Sequence, residues 1–351
     1  MIKPKNKILF NIDERLGKLS PHMFGANLEH IGEAIYKNGV WAEVIENRKF
    51  CGADKFTWET GVAHDHLDFG IIKPWQGFNP SAKHVMYAHS NSEFVVKGEE
   101  QINRFGSGKQ SQQITIREKS EKNRGIKQPI NVNFVDEAHQ FSIMLKGTGQ
   151  KVYIQIGELN FVIKSRSKWF EFKKNIKFND LKTKKTLSIS INSDELFIAN
   201  CSLKPKNTNF GFRKDITKLI KEWVPSYLRW PGGNYLSGYN WINGIGDKNY
   251  RLPFYDYAWY EWENNDVGTD EFMQWCEYIG SEPMITMNTG NGTPEEAASW
   301  IEYITGSTKT KYGKLRAKNG RVKPYDLKTI FIGNEMFGGW QIGHTDAKTY
   351  A

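Results

Sequence analysis

The sequence predicts an α/β protein into which a β-sandwich-like module is inserted. Between residues 131 and 200, apolar residues recur with a period of two, as in half-buried β-strands. From about residue 211 onward, helical and strand patterns alternate, which is typical of βα units in a parallel sheet. An apolar segment at 21–27 adds an earlier strand of the same kind, so the module follows the first βα unit.

The inserted module is predicted at residues 72–210. Its clearest strands lie at 152–156 and 187–191, where Val, Ile and Leu alternate with polar residues. Shorter apolar segments at 94–96 and 114–116 extend the same pattern toward the N-terminus. The module is therefore expected to consist of antiparallel strands.

The α/β unit is predicted from residues 1–71 and 211–351. Three helices are predicted after residue 211. The first ends before Pro225 and has apolar residues at i, i+3, i+4 and i+7, namely Ile216, Leu219, Ile220 and Trp223. The second begins near Thr269, and the third has Thr293 as its N-cap and Pro294 at its first position. The strands predicted around these helices are 227–229, 283–288 and 329–332.

Charge is distributed unevenly along the 351 residues, whose net charge is +9. Residues 161–190 hold nine Lys and Arg side chains against two acidic ones, whereas residues 221–300 hold four basic side chains against twelve acidic ones. A phosphate-binding surface needs cations beside its aromatic side chains. We therefore expect the basic segment to be a solvent-exposed strand face, and we expect no nucleic-acid partner.

Seven of the twelve tryptophans lie in the acidic segment 221–300. Aromatic rings stack on the C–H faces of a sugar, while carboxylates and amides bind its hydroxyl groups. The segment therefore favours a neutral polyhydroxylated ligand. Core packing is the alternative role for each of these tryptophans.

Cysteine and histidine spacing predicts no metal site and no cofactor. Cys51, Cys201 and Cys276 are too few and too far apart for a disulfide framework or a metal motif, so buried thiols are expected. His64 and His66 form a close pair, but no ligand pattern surrounds them. No segment has the ~18 consecutive apolar residues of a membrane span, and no apolar signal segment is present. A cytoplasmic protein without a membrane partner is expected, and secretion stays open if residues precede Met1.

Polar side chains follow four of the predicted parallel strands, where functional groups of such proteins collect. In the last of these strand ends, Asn334 and Glu335 come directly after an apolar strand. A carboxylic acid there, beside an amide that can bind a sugar hydroxyl, is arranged as a general acid facing a pocket. The alternative is a helix N-cap followed by a first-turn carboxylate. The four strand ends are 27–30, 229–234, 288–290 and 333–336.

A sharp turn is predicted at Pro231, Gly232 and Gly233. Such a turn would present Arg229 and Asn234 to one cleft. The alternative is an ordinary tight turn with Arg229 in a structural ion pair.

Together these segments resemble glycoside hydrolase family 51, the α-L-arabinofuranosidases. The resemblance covers residues 20–50 and 210–351, and its motifs occur in the order of the family. It implies the first half of a (β/α)8 TIM barrel, interrupted by a sandwich similar to a carbohydrate-binding module. The matching segments are Phe24 to Gly32, Asn47 to Phe50, Leu228 to Asn234, Ser237 to Trp241, Asn264 to Phe272, Ile332 to Met336 and Trp340 to His344.

The resemblance also implies a reaction, a partner and residue roles. The family removes terminal non-reducing α-L-arabinofuranosyl residues with retention of configuration. Glu335 matches the acid/base and Asn334 matches a partner of the sugar 2-hydroxyl, while Glu29, Arg229 and Asn234 match ligands of the terminal arabinofuranose. The implied partner is an arabinofuranosyl-containing oligo- or polysaccharide, and the parent enzyme is implied to be homo-oligomeric.

A retaining mechanism needs a second carboxylate ~5–5.5 Å from the first. In the family this nucleophile lies on a later strand, and only four barrel strands are predicted before Ala351. We therefore expect the chain to be the N-terminal part of a longer enzyme and to be inactive alone. Open sheet edges and exposed apolar helix faces would also make it poorly soluble.

Two other functions stay open. One is another retaining glycosidase of the same clan, a xylosidase or an endoglucanase. The other is a non-catalytic carbohydrate-binding protein, whose binding would survive Glu335→Gln and would depend on the tryptophans of residues 72–210. The polymer substrate is also open among arabinan, arabinoxylan and arabinogalactan.

Overall fold

The structure is a computed structural model of the 351-residue chain. It describes residues 13, 17–18, 20–52, 66–90, 111–132, 138–180 and 184–351. The strand expected at 94–96 and one member of the histidine pair, His64, lie outside the described residues.

Strands and helices are numbered here in chain order. The strands are β1 (Ala26–Asn27), β2 (Gln76–Phe78), β3 (Val85–Ser90), β4 (Ser111–Ile116), β5 (Arg124–Ile130), β6 (Ala138–Gly147), β7 (Lys151–Ile156), β8 (Leu159–Lys164), β9 (Phe170–Lys177), β10 (Lys185–Ile191), β11 (Glu195–Pro205), β12 (Tyr227–Trp230), β13 (Phe254–Asp256), β14 (Glu261–Glu263), β15 (Glu282–Met287) and β16 (Thr329–Ile332). The helices are α1 (Gly32–Ile35), α2 (Lys214–Trp223), α3 (Thr269–Ile279), α4 (Pro294–Thr305), α5 (Lys311–Lys318) and α6 (Ala347–Tyr350).

One sheet contains four parallel strands in the order β1-β12-β15-β16, which is also their order in the chain. Helices lie between them, so the predicted α/β class is confirmed. The sheet is open at β1 and β16, and no closed barrel is present in the described part of the chain. Because the strands are parallel, residues that follow Asn27, Trp230, Met287 and Ile332 meet at one edge of the sheet.

The three predicted helices of this unit are confirmed. Thr293 Oγ1 accepts the N–H of Glu296 at the start of α4, and Glu271 accepts the N–H of Gly268 at the start of α3. Helix α2 ends at Trp223, and the next residue, Val224, has a φ of +55° that breaks the helix before Pro225. The apolar face of α2 is only partly covered, because Leu219 and Trp223 are 64% and 62% exposed.

The first predicted strand is shorter than expected. Ser20 Oγ accepts the N–H of His22 at 3.2 Å and starts a 3-10 turn over Pro21–Met23. Only Ala26–Asn27 pairs with β12, so the expectation of one strand over 21–27 was wrong in its length.

Two five-stranded antiparallel sheets occupy the segment between α1 and α2. Their orders are β2-β5-β10-β7-β8 and β3-β4-β11-β6-β9. In β7 and β10, Ile154 and Ile189 are opposite each other and buried, and Ile143 of the other sheet belongs to the same apolar cluster. The period-two strands predicted at 152–156 and 187–191 are therefore confirmed.

The basic segment 161–190 includes most of β8 and all of β9, and most of its Lys side chains face solvent, as expected. Lys185 is the exception, because it is buried and pairs with Glu158 at 3.2 Å. The core role is confirmed for four tryptophans of the acidic segment, and Trp75 in the antiparallel part is also buried. The four are Trp230, Trp241, Trp275 and Trp300.

The three cysteines are buried and free, as expected. Within the described ranges, no three His, Cys, Asp or Glu side chains form a group that could hold a metal ion. None of the helices there has the length and apolar character needed to cross a bilayer.

Candidate active site

The five predicted site residues lie where the parallel strands end. Glu29 comes two residues after β1, Arg229 lies within β12, and Asn234 begins a 3-10 turn after the Gly-Gly pair. Asn334 and Glu335 follow β16. Hydrogen bonds connect Arg229 to Asn334 and Asn234 to Glu29, so the structure brings together strand ends that are about 200 or 100 residues apart in the chain.

The turn at Gly232 and Gly233 holds Glu29 against backbone. Both glycines have positive φ angles, +52° and +60°, a backbone conformation that residues with side chains rarely adopt. A Cβ atom on Gly233 would be 1.7 Å from Glu29 Oε1. The next N–H, that of Asn234, donates to the same oxygen at 3.2 Å.

Arg229 interacts with an amide and a ring rather than a structural carboxylate. Its Nη2 donates to Asn334 Oδ1 at 2.9 Å, and its guanidinium lies 4.9 Å from the centre of the Phe331 ring. Within the described residues no carboxylate comes close enough to form an ion pair with it, so the ion-pair alternative is wrong there. Burial lowers the pKa of Arg229, while the charges of Glu29 and Glu335 oppose that shift.

Glu335 is exposed and does not begin a helix. Its φ is +49°, and residues 336–337 form a turn, so the helix-cap alternative is wrong. Trp340 Nε1 donates to Glu335 Oε2 at 3.0 Å. The carbonyl oxygen of a carboxylic acid is a better acceptor than its O–H oxygen, so this contact favours Oε2 as the carbonyl oxygen when Glu335 is in its acid form. The proton is then carried by Oε1.

Gln341 is a site contact that the strand-end argument missed. It is 3% exposed, and its Nε2 donates to Asn234 Oδ1 at 2.6 Å. Next to it, the N–H of Ile342 donates to Ser237 Oγ at 3.3 Å. The only sequence signal for Gln341 is its place in the matched segment Trp340 to His344.

His30 lies beneath these residues in a fixed tautomer. Trp230 Nε1, a donor only, faces His30 Nδ1 at 3.2 Å, so Nδ1 must be the acceptor. Nε2 then carries the hydrogen and donates to Glu263 Oε2 at 2.8 Å. The imidazole stacks on Tyr235 with ring centres 4.3 Å apart, which supports the residue directly after Asn234.

Two buried ion pairs anchor the segment that leads into α3. Arg48 Nε donates to Asp266 at 2.5 Å, and Arg251 donates to both oxygens of Glu271 at 2.8 and 2.9 Å. Burial raises the pKa of each carboxyl, but the paired guanidiniums outweigh burial and lower the pKa of Asp266 and of Glu271 to about 2. Both carboxylates therefore stay ionised near neutral pH.

The arrangement suits acid catalysis beside a polyhydroxylated ligand. A carboxylic acid such as Glu335 can donate a proton, and amides such as those of Asn234 and Asn334 can form hydrogen bonds next to it. Glu29 adds a carboxylate acceptor for hydroxyl groups.

Comparison with known proteins finds similarity to one family in the C-terminal part of the chain. The family model named alpha-L-arabinofuranosidase 1 domain matches residues 219–350. The probable alpha-L-arabinofuranosidase C of Aspergillus clavatus is 45% identical over 147 residues, which are 42% of this chain and 29% of that protein. The intracellular exo-alpha-(1->5)-L-arabinofuranosidase 1 of Bacillus subtilis is 41% identical over 146 residues, again 42% of this chain and 29% of that protein.

A solved structure shares the fold over most of the chain. The arabinose-bound MgGH51 α-L-arabinofuranosidase superposes with a TM-score of 0.71 at 20% identity and covers 90% of this chain and 54% of that chain. The match to the curated relatives spans 29% of their length. The family model thus covers Arg229, Asn234 and Glu335, and the resemblance to the α-L-arabinofuranosidases is confirmed for residues 219–350 of the chain.

Proposed function

We propose that the chain is part of a retaining glycoside hydrolase that removes terminal non-reducing α-L-arabinofuranosyl residues from oligo- or polysaccharides. The observation that carries this proposal is the position of Glu335 after β16. Its neighbour Asn334 accepts a hydrogen bond from Arg229 of β12, so both strands contribute to the same edge of the sheet. The names of the relatives support the same activity.

For the fold, we propose that β1, β12, β15 and β16 are the first four strands of a (β/α)8 barrel. Their parallel pairing in chain order and the similarity in fold to the MgGH51 enzyme support this assignment. The two antiparallel sheets are proposed to be one inserted sandwich, because buried residues of both sheets share an apolar cluster. The proposed divisions are 1–71, 72–210 and 211–351.

Glu335 is proposed to act first as acid and then as base. In the first step, the proton on Oε1 moves to the glycosidic oxygen while the bond from that oxygen to the anomeric carbon breaks. A second carboxylate attacks the anomeric carbon and forms a glycosyl ester. In the second step, ionised Glu335 takes a proton from water, the water oxygen displaces the ester carboxylate, and arabinose leaves with its configuration retained.

The remaining site residues are proposed to bind the terminal arabinofuranose. Glu29 would accept hydrogen bonds from sugar hydroxyls, and Asn334 would bind the 2-hydroxyl beside the anomeric carbon. Arg229 and Asn234 would complete this side of the pocket. Since the match covers 29% of the relatives' length, we assign the second carboxylate to sequence outside these 351 residues.

The natural substrate is proposed to be a polymer or oligomer with terminal arabinofuranosyl groups, such as arabinan, arabinoxylan or arabinogalactan. The Bacillus subtilis relative is named as intracellular and as acting on α-(1->5) linkages. On that likeness we propose a cytoplasmic enzyme that acts on α-(1->5)-linked arabino-oligosaccharides. We propose further that the parent enzyme is a homo-oligomer.

Hydrolysis of 4-nitrophenyl α-L-arabinofuranoside tests the proposal. It should be measured for the 351-residue chain and for a polypeptide that also contains the rest of its reading frame. We expect activity only in the longer form, and we expect Glu335→Gln to lower kcat about 10³-fold, the usual contribution of a general acid. Asp326→Asn is the matched control, because Asp326 is an exposed carboxylate shortly before β16.

Different outcomes separate the alternatives. Faster hydrolysis of the β-D-xyloside would indicate a xylosidase. Oligosaccharide binding without hydrolysis, unaffected by Glu335→Gln, would indicate a carbohydrate-binding protein. Turnover by the 351-residue chain alone would show that the nucleophile lies within it.

A further inference from the structure

We infer that Gln341 is a positioning residue, which fixes the orientation of the Asn234 amide so that its NH2 group faces the sugar. This inference rests on the proposed function. Gln341 lies outside the five predicted site residues and reaches the pocket only through Asn234.

The loop that carries Gln341 is fastened to the turn that carries Asn234. The backbone N–H of Ile342 donates to Ser237 Oγ at 3.3 Å, and Ser237 Oγ donates to the carbonyl of Asn234 at 3.2 Å. The backbone N–H of Gln341 donates to the carbonyl of Gly338 at 3.0 Å. Gln341 is therefore held in one place by contacts other than its own side chain.

The amide orientations follow from Arg229, because a guanidinium has donors and no acceptor. The Asn334 atom at 2.9 Å from Arg229 Nη2 must then be its oxygen. The Asn334 nitrogen is consequently on the other side, 3.5 Å from Asn234, so the Asn234 atom there is also an oxygen. This is how side-chain amides are assigned when hydrogens are not seen directly.

Gln341 supplies the second and shorter bond to that oxygen. Its Nε2 is 2.6 Å from Asn234 Oδ1, so both lone pairs of Oδ1 have a donor. No described residue accepts a hydrogen bond from Asn234 Nδ2. The NH2 group is therefore left to donate to the ligand, and it selects a sugar oxygen that accepts.

Without the Gln341 donor, the Asn234 side-chain amide can rotate by about 180°, which would leave its carbonyl facing the sugar. The ring oxygen of the sugar, or a sugar hydroxyl that already donates its hydrogen elsewhere, can only accept. It would then face the Asn234 carbonyl, which is also an acceptor, and no hydrogen bond would form. Gln341 thus affects the sugar through Asn234, which predicts that its effect disappears when Asn234 has no amide.

The test uses the active full-length polypeptide and a double-mutant cycle with 4-nitrophenyl α-L-arabinofuranoside. We expect Gln341→Met to lower kcat/KM about tenfold, the factor for one hydrogen bond. Gln341→Glu, which is nearly isosteric but offers an acceptor to Asn234, should lower it further. In the Asn234→Ala background, Gln341→Met should change kcat/KM less than about twofold, because neighbouring residues that act as a unit are not additive.

Gln274→Met is the matched control, because Gln274 on α3 donates only to the carbonyl of Asp270. Its kcat/KM should equal that of the wild type. Full additivity of Gln341→Met and Asn234→Ala would overturn the inference, as would a folded Gln341→Glu variant with unchanged kcat/KM. Unfolding of both Gln341 variants would overturn it too, since it would show a role in stability instead. An inactive wild type overturns the proposed function itself and is thereby distinguished.

Discussion

Gly233 lies so close to Glu29 that a Cβ atom on Gly233 would be 1.7 Å from Glu29 Oε1. The same residue has a φ of +60°. Glycine is therefore required there for two separate reasons. One is the backbone conformation, and the other is the close contact with Glu29, which we propose binds the sugar. The two reasons predict different effects on stability and on activity.

Gly233→Ala should lower both stability and activity, whereas Gly280→Ala should lower stability alone. Gly280 also has a positive φ, +84°, but nothing lies within 4 Å of its would-be Cβ. Gly280→Ala should lose about 1 kcal/mol of unfolding free energy in urea, the cost of a left-handed residue that has a side chain. Gly233→Ala should lose more, because its ψ of −161° lies in a region that essentially only glycine adopts and because its Cβ would meet Glu29. Only Gly233→Ala should also lower kcat/KM, by more than about tenfold, because Glu29 must move. Equal activities of the two variants would contradict the role of this contact.

Trp340→Phe should lower kcat by about tenfold, because it removes the indole donor that leaves the acid proton on Glu335 Oε1. The ring and its contact with Phe337 would be kept. Initial rates with the aryl arabinofuranoside over a range of concentrations measure kcat and KM separately, and KM should change little. Phe337→Leu, at an exposed neighbour, should leave kcat near the wild-type value. A kcat unaffected by Trp340→Phe would show that the indole does not orient Glu335.

Arg251→Met should destabilise the fold strongly. Arg251 is fully buried between Glu271 and the carbonyls of Asn265 and Asp266. Its removal breaks the bidentate pair with Glu271, leaves that buried carboxylate with Lys248 alone, and leaves the two carbonyls without this donor. Breaking such a pair costs about 3–5 kcal/mol. Arg321→Met is the control, because Arg321 pairs with Glu277 near the surface and such pairs contribute about 1 kcal/mol or less. Urea unfolding of both variants at pH 7 makes the comparison, and similar losses would refute the prediction.

The regular parts of the fold could be predicted because their patterns are local. Alternation marks β7 and β10, and the cap formed by Thr293 marks the start of α4. Helix α5 was not predicted, since Lys311–Lys318 is rich in charge and has little apolar periodicity. The hairpin of β13 and β14 was missed because each strand has only three residues.

A site residue could be predicted from the sequence only where it lies at the end of an apolar strand. Glu335 and Arg229 follow or lie in apolar strands, and parallel strands bring such positions to one edge. Gln341 and Trp340 reach the site from a loop that turns back over it, and no local pattern encodes that return. The bond between His30 and Glu263 joins residues 233 positions apart, so only the folded structure reveals it.

Acid should weaken the fold through Asp266 and Glu271. Their paired guanidiniums lower the pKa of each carboxyl to about 2, from ordinary values of 3.8 and 4.5. Their stabilisation is therefore fully present above about pH 5 and is lost as pH falls toward 2, by about 2 and 3 kcal/mol. Urea unfolding from pH 5 to 2.5 should show this decline, with a smaller decline in Arg251→Met. Equal declines would show that Arg251 does not hold the pKa of Glu271 down.

Asp256 should have the opposite effect between pH 4 and 8. Burial raises the pKa of this carboxyl to about 7, and Glu263 adds to the rise. The folded state then holds a proton that the unfolded state has lost, so the unfolding free energy should fall by about 4 kcal/mol as pH rises from 4 to 7. Asp256→Asn keeps the oxygen that accepts the N–H of Ala258 and cannot ionise, so it should be more stable than the wild type at pH 8 and similar at pH 4. The exposed control Asp326→Asn should follow the wild type at both pH values, and an Asp256→Asn variant that does the same would disprove the assignment.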